Sequence, residues 1–122
     1  MTVLLLALAG GLGAVARFVL DGTVTAVRDW GYPVGTTVIN LTGSFLLGLL
    51  SGLAAGAVLP GSALVVLGTG FLGGYTTFST AAYETVRLVE QQRWGAALVH
   101  GLGQVLVATA LAALGYVLGS AA

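Results

Sequence analysis

The polar residues that could do chemistry in this chain are few, and they fall on helical spacings. Thr36, Asn40 and Ser44 are four residues apart, with Gly48 and Ser51 continuing the same stripe. Asn40 is the informative member, because its amide brings two N–H donors into an apolar setting. Donors of that kind suit an anion, although an interhelical hydrogen bond that only joins helices is the commoner use of such a residue. His100 and Gln104 are also four apart and share a face. They read as a proton relay or, more plainly, as a neutral imidazole bonding one neighbour. Arg17 and Glu84 are the remaining costly groups, best read as structural charges or vestibule residues. Arg87, Glu90 and Arg93 read as a solvated helix end.

The least ordinary run is Gly68-Thr69-Gly70-Phe71-Leu72-Gly73-Gly74-Tyr75-Thr76-Thr77-Phe78-Ser79-Thr80. A lipid-facing helix would not select four glycines and four threonines in such a window. Glycine loosens the helix, and threonine hydroxyls can satisfy the carbonyls so released. The run predicts a helix interrupted near mid-membrane. Such backbone is tolerated only where protein buries it or where it lines a cavity. Freed carbonyls suit a small cation, and helix N-termini suit an anion. A glycine-rich packing seam without ligands is the plainer account of the same composition.

The elements that must position these residues follow from composition. Of 122 residues, 57% are hydrophobic and 7% charged, with a mean hydropathy of +1.04. A soluble domain carries about 25% charged residues. Four arginines, no lysine and four acids cannot cover a water-facing surface, so this is an all-α membrane protein. Zero net charge and no basic patch exclude a nucleic-acid binder. No cysteine is present for a disulfide or thiolate site. One histidine and scattered acids leave no catalytic constellation, so no enzyme is expected.

Four apolar stretches of membrane-spanning length fit, at about 3–20, 34–58, 62–89 and 95–119, forming one domain. Pro33 and Pro60 suit helix starts, while Trp30, Tyr32 and Trp94 suit the headgroup region. The runs are continuous rather than alternating, which excludes a β-barrel. Met1-Thr2-Val3-Leu4 lacks the positive start of a cleaved signal and reads as a retained first span. Arg28, Arg87 and Arg93, with Arg17, fall to one side of the membrane, and the other side has no Lys or Arg. The arginine-bearing loops are therefore expected in the cytoplasm and both termini outside.

Three ordered motifs carry a resemblance across essentially the whole chain. Gly10-Gly11-Leu12-Gly13-Ala14-Val15-Ala16-Arg17, Gly35-Thr36-Thr37-Val38-Ile39-Asn40-Leu41-Thr42-Gly43-Ser44-Phe45, and residues 70–80 resemble the first, second and third helices of the small bacterial fluoride channels, the Fluc or CrcB family. The resemblance implies an antiparallel dimer, two chains inserted in opposite orientations, with two fluoride pores in the plasma (inner) membrane. It implies a structural, non-transported Na⁺ at the dimer centre on the backbone carbonyls of Gly73 and Thr76. It also implies that Asn40 and Phe78 line the fluoride pathway.

The residue chemistry agrees with that likeness. Fluoride is strongly hydrated, so Asn40 N–H groups and the hydroxyls of Thr77, Ser79 and Thr80 are candidate replacements for its water, with Ser44, His100 and Gln104 as a further polar track. The positive rim of the Phe78 ring can face an anion, and a pore without a basic residue lets the ion leave. Two departures stand out. Ala81 occupies the place where many members carry a second phenylalanine, and the arginine bias is unlike that of a chain inserting both ways. Both fit a subunit of a paralogous heterodimer, leaving homodimer and heterodimer open. A small proton-coupled multidrug exporter would need a membrane carboxylate, for which Glu84 is the candidate. A non-conducting assembly subunit is the third reading.

Overall fold

In the computed structural model, residues 1–27 and 31–122 are described. Arg28, Asp29 and Trp30, where sequence places a loop charge and an interfacial ring, lie outside the described residues. The described residues form helices without strands, arranged as four rods. The first is α1, Thr2–Val27, and the second is α2, Val34–Ala55. The third comprises α3 (Gly61–Leu64), a π-helical stretch (Val65–Leu72) and α4 (Gly73–Tyr75), then α5 (Ser79–Glu90) after three non-helical residues. The fourth comprises α6 (Trp94–Leu98), a π-helical stretch (Val99–Gly103) and α7 (Gln104–Ser120).

Three of these rods, Thr2–Val27, Val34–Ala55 and Trp94–Ser120, are long and apolar enough to cross a bilayer. The chain is an integral membrane protein. Helices are the economical form there, because each backbone N–H and C=O is satisfied within its own rod. α1 runs on to Val27 rather than stopping near Leu20, and Thr23 Oγ1 donates to Val19 O (2.7 Å) inside that extension. Pro33 and Pro60 each stand immediately before a helix, where their missing N–H costs nothing.

Glycines set how closely the rods approach. α2 lies along α7, with Gly48 and Gly52 facing Gly115 and Gly119. A Cβ on Gly48 would run into Ala112 O, and one on Gly115 would run into Phe45 O. Two small-xxx-small pairs thus let the backbones touch, as lipid supplies no hydrophobic drive between helices. On the other side of the molecule, Gly74 lies against Gly10 O, and Gly13 lies against Phe71 O. Ile39, Leu72 and Tyr75 form the small core between these seams, with Ala16, Leu20, Leu50 and Phe71 around it.

Two helix ends turn through left-handed residues that are not glycine, Ala57 (φ 61) and Gln92 (φ 58). After α5, Gln92 N donates to Val89 O and Arg93 N to Leu88 O, both at 2.9 Å. That pairing is the Schellman termination, which favours glycine at the left-handed position. Gln92→Gly is therefore expected to stabilise the protein by about 1 kcal/mol. A thermal unfolding midpoint in detergent that fails to rise would contradict this.

Candidate functional site

The three residues between α4 and α5 are held open by side-chain hydrogen bonds. Thr76 leaves the helix in an extended conformation (φ −82, ψ 160). Thr77 N donates to Asn40 Oδ1 (2.9 Å), and Asn40 Nδ2 donates back to Thr77 O (2.8 Å). The Asn40 amide therefore pairs with both backbone polar groups of one residue, Thr77. Next along the chain, Thr80 N donates to Thr77 Oγ1 (3.2 Å). In an uninterrupted helix, Thr77 N would bond Gly73 O and Thr80 N would bond Thr76 O. Both donors are diverted to side chains, which releases the carbonyls of Gly73 and Thr76 from their helical partners.

A polar network continues from Asn40 into the fourth rod. Asn40 Nδ2 donates its second proton to Gln104 Oε1 (2.6 Å). Gln104 Nε2 lies 3.1 Å from both His100 O and His100 Nδ1. Thr37 Oγ1 is 3.4 Å from the same ring nitrogen and 3.5 Å from Gln104 Nε2. His100 is 1% exposed, and the Tyr32 ring meets it edge-on with centroids 5.4 Å apart. Its other nitrogen, Nε2, lies 3.5 Å from Glu84 Oε1. Among the described residues neither of those two atoms has a hydrogen-bond partner.

A cleft of about 520 Å³ runs beside this network, lined by Asn40, Ser44, Gly73, Thr76, Thr77, Phe78, Ala81, His100 and Gln104 among others. No Lys, Arg, Asp or Glu is among its lining residues. Phe78 stands at its edge with 82% of its surface exposed. Ser79 and Thr80 are exposed at the start of α5 and are not among the lining residues. A second cavity of about 420 Å³ collects Asp21, Tyr32, Gly35, Tyr83, Glu84, Arg87 and Arg93 at the end of the molecule where the two loops meet. Arg93 Nη1 donates to Gly31 O there. Arg17 is half-buried on α1 and lines neither cavity.

The sequence-predicted residues are thus divided. Asn40, Thr77, Gln104 and His100 are joined in one network, and Gly73, Thr76, Phe78 and Ser44 share its cleft. The stripe on α2 splits, since Thr36 is buried and is not among the residues lining the cleft. Both Nδ2 protons of Asn40 are committed within the chain, one of them in the interhelical bond that is the commoner use of such a residue. Thr37 was not singled out from sequence as a site residue, and Tyr32 was read only as an interfacial ring. Thr37 precedes Asn40 by three residues, a helical spacing that places it beside the stripe, but nothing local marks Tyr32 as a neighbour of His100.

Comparison with known proteins places the whole chain. Residues 4–116 match the family described as CrcB-like protein, Camphor Resistance (CrcB). A protein from Leifsonia xyli subsp. xyli named fluoride-specific ion channel FluC 1 is 54% identical over 122 residues, covering 100% of this chain and 89% of that protein. Fluoride-specific ion channel FluC 2 of Cutibacterium acnes is 44% identical, covering 98% of each chain. Fluoride-specific ion channel FluC of Thermus thermophilus is 42% identical over 97% of this chain and 94% of its own length.

Proposed function

The chain belongs to the CrcB family, and from that premise we propose that it forms a fluoride-selective channel through which cytoplasmic fluoride leaves the cell passively, lowering fluoride toxicity. The observation that carries this reading is the uncharged cleft along the non-helical residues 76–78, whose lining includes the amide side chains of Asn40 and Gln104 and the hydroxyl-bearing Ser44, Thr76 and Thr77. A dehydrated fluoride ion needs such donors. A fixed positive charge at the narrowest point would hold the ion too strongly for it to leave.

The pathway proposed here passes Asn40, Thr77 and Phe78 in the cleft and continues past Ser79 and Thr80, with Ser44, Gln104 and His100 along its wall. Asn40 lines the pathway and, through its three bonds, keeps Thr77 and Gln104 in place along it. The positive rim of Phe78 faces the ion. The mostly exposed ring beside an open cleft supports a second four-helix chain, oppositely oriented, that covers both. In that arrangement the interruption lies near mid-membrane, within a third span made by α3 to α5.

The family also implies a structural Na⁺, and the residues present fit one. Carbonyl oxygens are suitable ligands for a hard cation, and Gly73 O and Thr76 O are the two relieved of their helical donors. Two carbonyls make half a shell, which the matching pair of the second chain would complete. When bound, the ion would tie the two interrupted rods together without being transported. The positive-inside rule supports a cytoplasmic place for the cavity that holds Arg87 and Arg93, with both termini outside the plasma membrane. Glu84 acts there as a vestibule charge, and Arg17, outside both cavities, as a structural charge.

Fluoride release from liposomes containing this chain alone, read with a fluoride electrode against a chloride control, tests the proposal. Rapid fluoride-selective release is expected, and it would show that Ala81 is compatible with a working pore. Silence for the chain alone, followed by release on adding an oppositely oriented paralogue, would establish a heterodimer. Silence in both would overturn the channel reading.

A further inference from the structure

We propose that Gln104 is a positioning residue that fixes His100, the chain's one histidine, as its Nε2–H tautomer and thereby presents a buried N–H donor to fluoride. The inference rests on the fluoride reading above and adds a specific atom to it.

The polarity of the network admits no choice once the backbone is considered. A peptide N–H only donates and a peptide C=O only accepts, so Thr77 dictates which end of the Asn40 amide is which. The second Nδ2 proton of Asn40 points at Gln104, so the Gln104 atom facing it must be the acceptor, Oε1. Gln104 Nε2 is thereby turned toward His100, where it meets two atoms at 3.1 Å, the backbone carbonyl oxygen and Nδ1. A donor cannot face a donor. Thr37 Oγ1, which gives its proton to Pro33 O, is the more distant group on Nδ1 (3.4 Å against 3.1 Å for Gln104 Nε2). Nδ1 is therefore assigned as the bare nitrogen, and the neutral ring carries its proton on Nε2.

That Nε2–H ends the chain of bonds without a partner of its own. The His100 side chain has 0% of its surface exposed, and its nearest acceptor, Glu84 Oε1, is 3.5 Å away, beyond an ordinary N–H···O bond. A buried donor left unsatisfied is costly. His100 lines the cleft and Glu84 lines the second cavity, so this buried N–H lies between the two, and an ion passing from one to the other would take the proton that Glu84 holds only loosely. The opposite tautomer would instead turn a lone pair on the ion and repel it. Five groups in sequence (the Thr77 peptide, Asn40, Gln104, His100 and Glu84) thus carry a direction set at the interrupted backbone toward the second cavity.

One histidine makes the test clean. The full-length chain, labelled with ¹⁵N-histidine and reconstituted in lipid bilayers, is expected to give the ring nitrogen signature of the Nε2–H tautomer, with an Nε2 signal that moves on adding fluoride but not chloride. Gln104→Glu keeps an acceptor for Asn40 but offers only acceptors to Nδ1, so the tautomer should reverse and fluoride release should fall about tenfold or more. Gln104→Met adds no charge, so it controls for electrostatic repulsion. There both tautomers should appear, with release reduced several-fold. An Nδ1–H signature in the unmodified chain, or an unchanged tautomer in both variants, would overturn the role of Gln104. Altered tautomers with unchanged release, or an Nε2 signal indifferent to fluoride, would overturn the donor role. An Nε2–H signature in an unmodified chain that releases no fluoride, either alone or with an oppositely oriented paralogue, would leave Gln104 positioning His100 and count against the channel reading instead.

Discussion

Fluoride release should fall more than about 100-fold in Asn40→Leu, a change worth about 2.8 kcal/mol at the barrier. The leucine removes both bonds to the Thr77 peptide and the bond to Gln104. Thr77 is 8% exposed, so its N–H and C=O would be left in a site that water reaches poorly. Each unsatisfied group costs roughly 1–3 kcal/mol, and the backbone would relax toward a regular helix to recover bonds to Gly73 O. The shape of the cleft would go with it. Asn40→Asp is a useful companion, because it keeps an acceptor for Thr77 N while setting a second carboxylate oxygen against Thr77 O and Gln104 Oε1. Release within a factor of a few of the unmodified chain, in electrode assays matched for protein incorporation, would show that the clamp is dispensable.

The second large effect concerns the glycine seam between α2 and α7. Gly48→Ala is expected to destabilise the protein by roughly 1–3 kcal/mol, the usual cost of overpacking. The added methyl group would collide with a backbone oxygen, Ala112 O, which cannot rotate away as a side chain would. Gly115→Ala meets Phe45 O across the same seam. Combining the two should cost less than their sum, since either one alone already separates the rods. Gly11→Ala supplies the contrast: nothing lies near its Cβ position, so it should be neutral or slightly stabilising through helix propensity. Thermal unfolding of the detergent-solubilised protein reads all four variants. Equal midpoints for Gly48→Ala and Gly11→Ala would mean that the seam is not closely packed.

Much of the architecture was legible because it depends on properties each segment has by itself. Continuous apolar runs marked the rods, and Pro33 and Pro60 marked two of their starts. The glycine and threonine content of residues 68–80 singled out the segment where α4 gives way to α5. Asn40 and Gln104 were recognisable as costly groups in an apolar setting, so each had to find a partner. The identity of that partner was not legible. Asn40 meets Thr77 at a separation of 37 residues and Gln104 at a separation of 64, distances over which helical periodicity carries no information.

Sequence alone determined that this chain belongs in a bilayer, that it is helical, and which few polar residues must be satisfied inside it. Those are consequences of solvent and local geometry: a segment with no charges cannot remain in water, and a backbone in lipid must bond itself. Only the tertiary structure decided that Asn40 spends both protons within the chain, that Thr36 is buried away from the cleft while Asn40 lines it, and that Phe78 projects outward. It also decided which end of Gln104 faces His100. The reason is that a hydrogen bond takes its direction from the group opposite it. In this protein the direction is set by the backbone N–H and C=O of one residue between α4 and α5, Thr77, and passes residue by residue into the fourth rod.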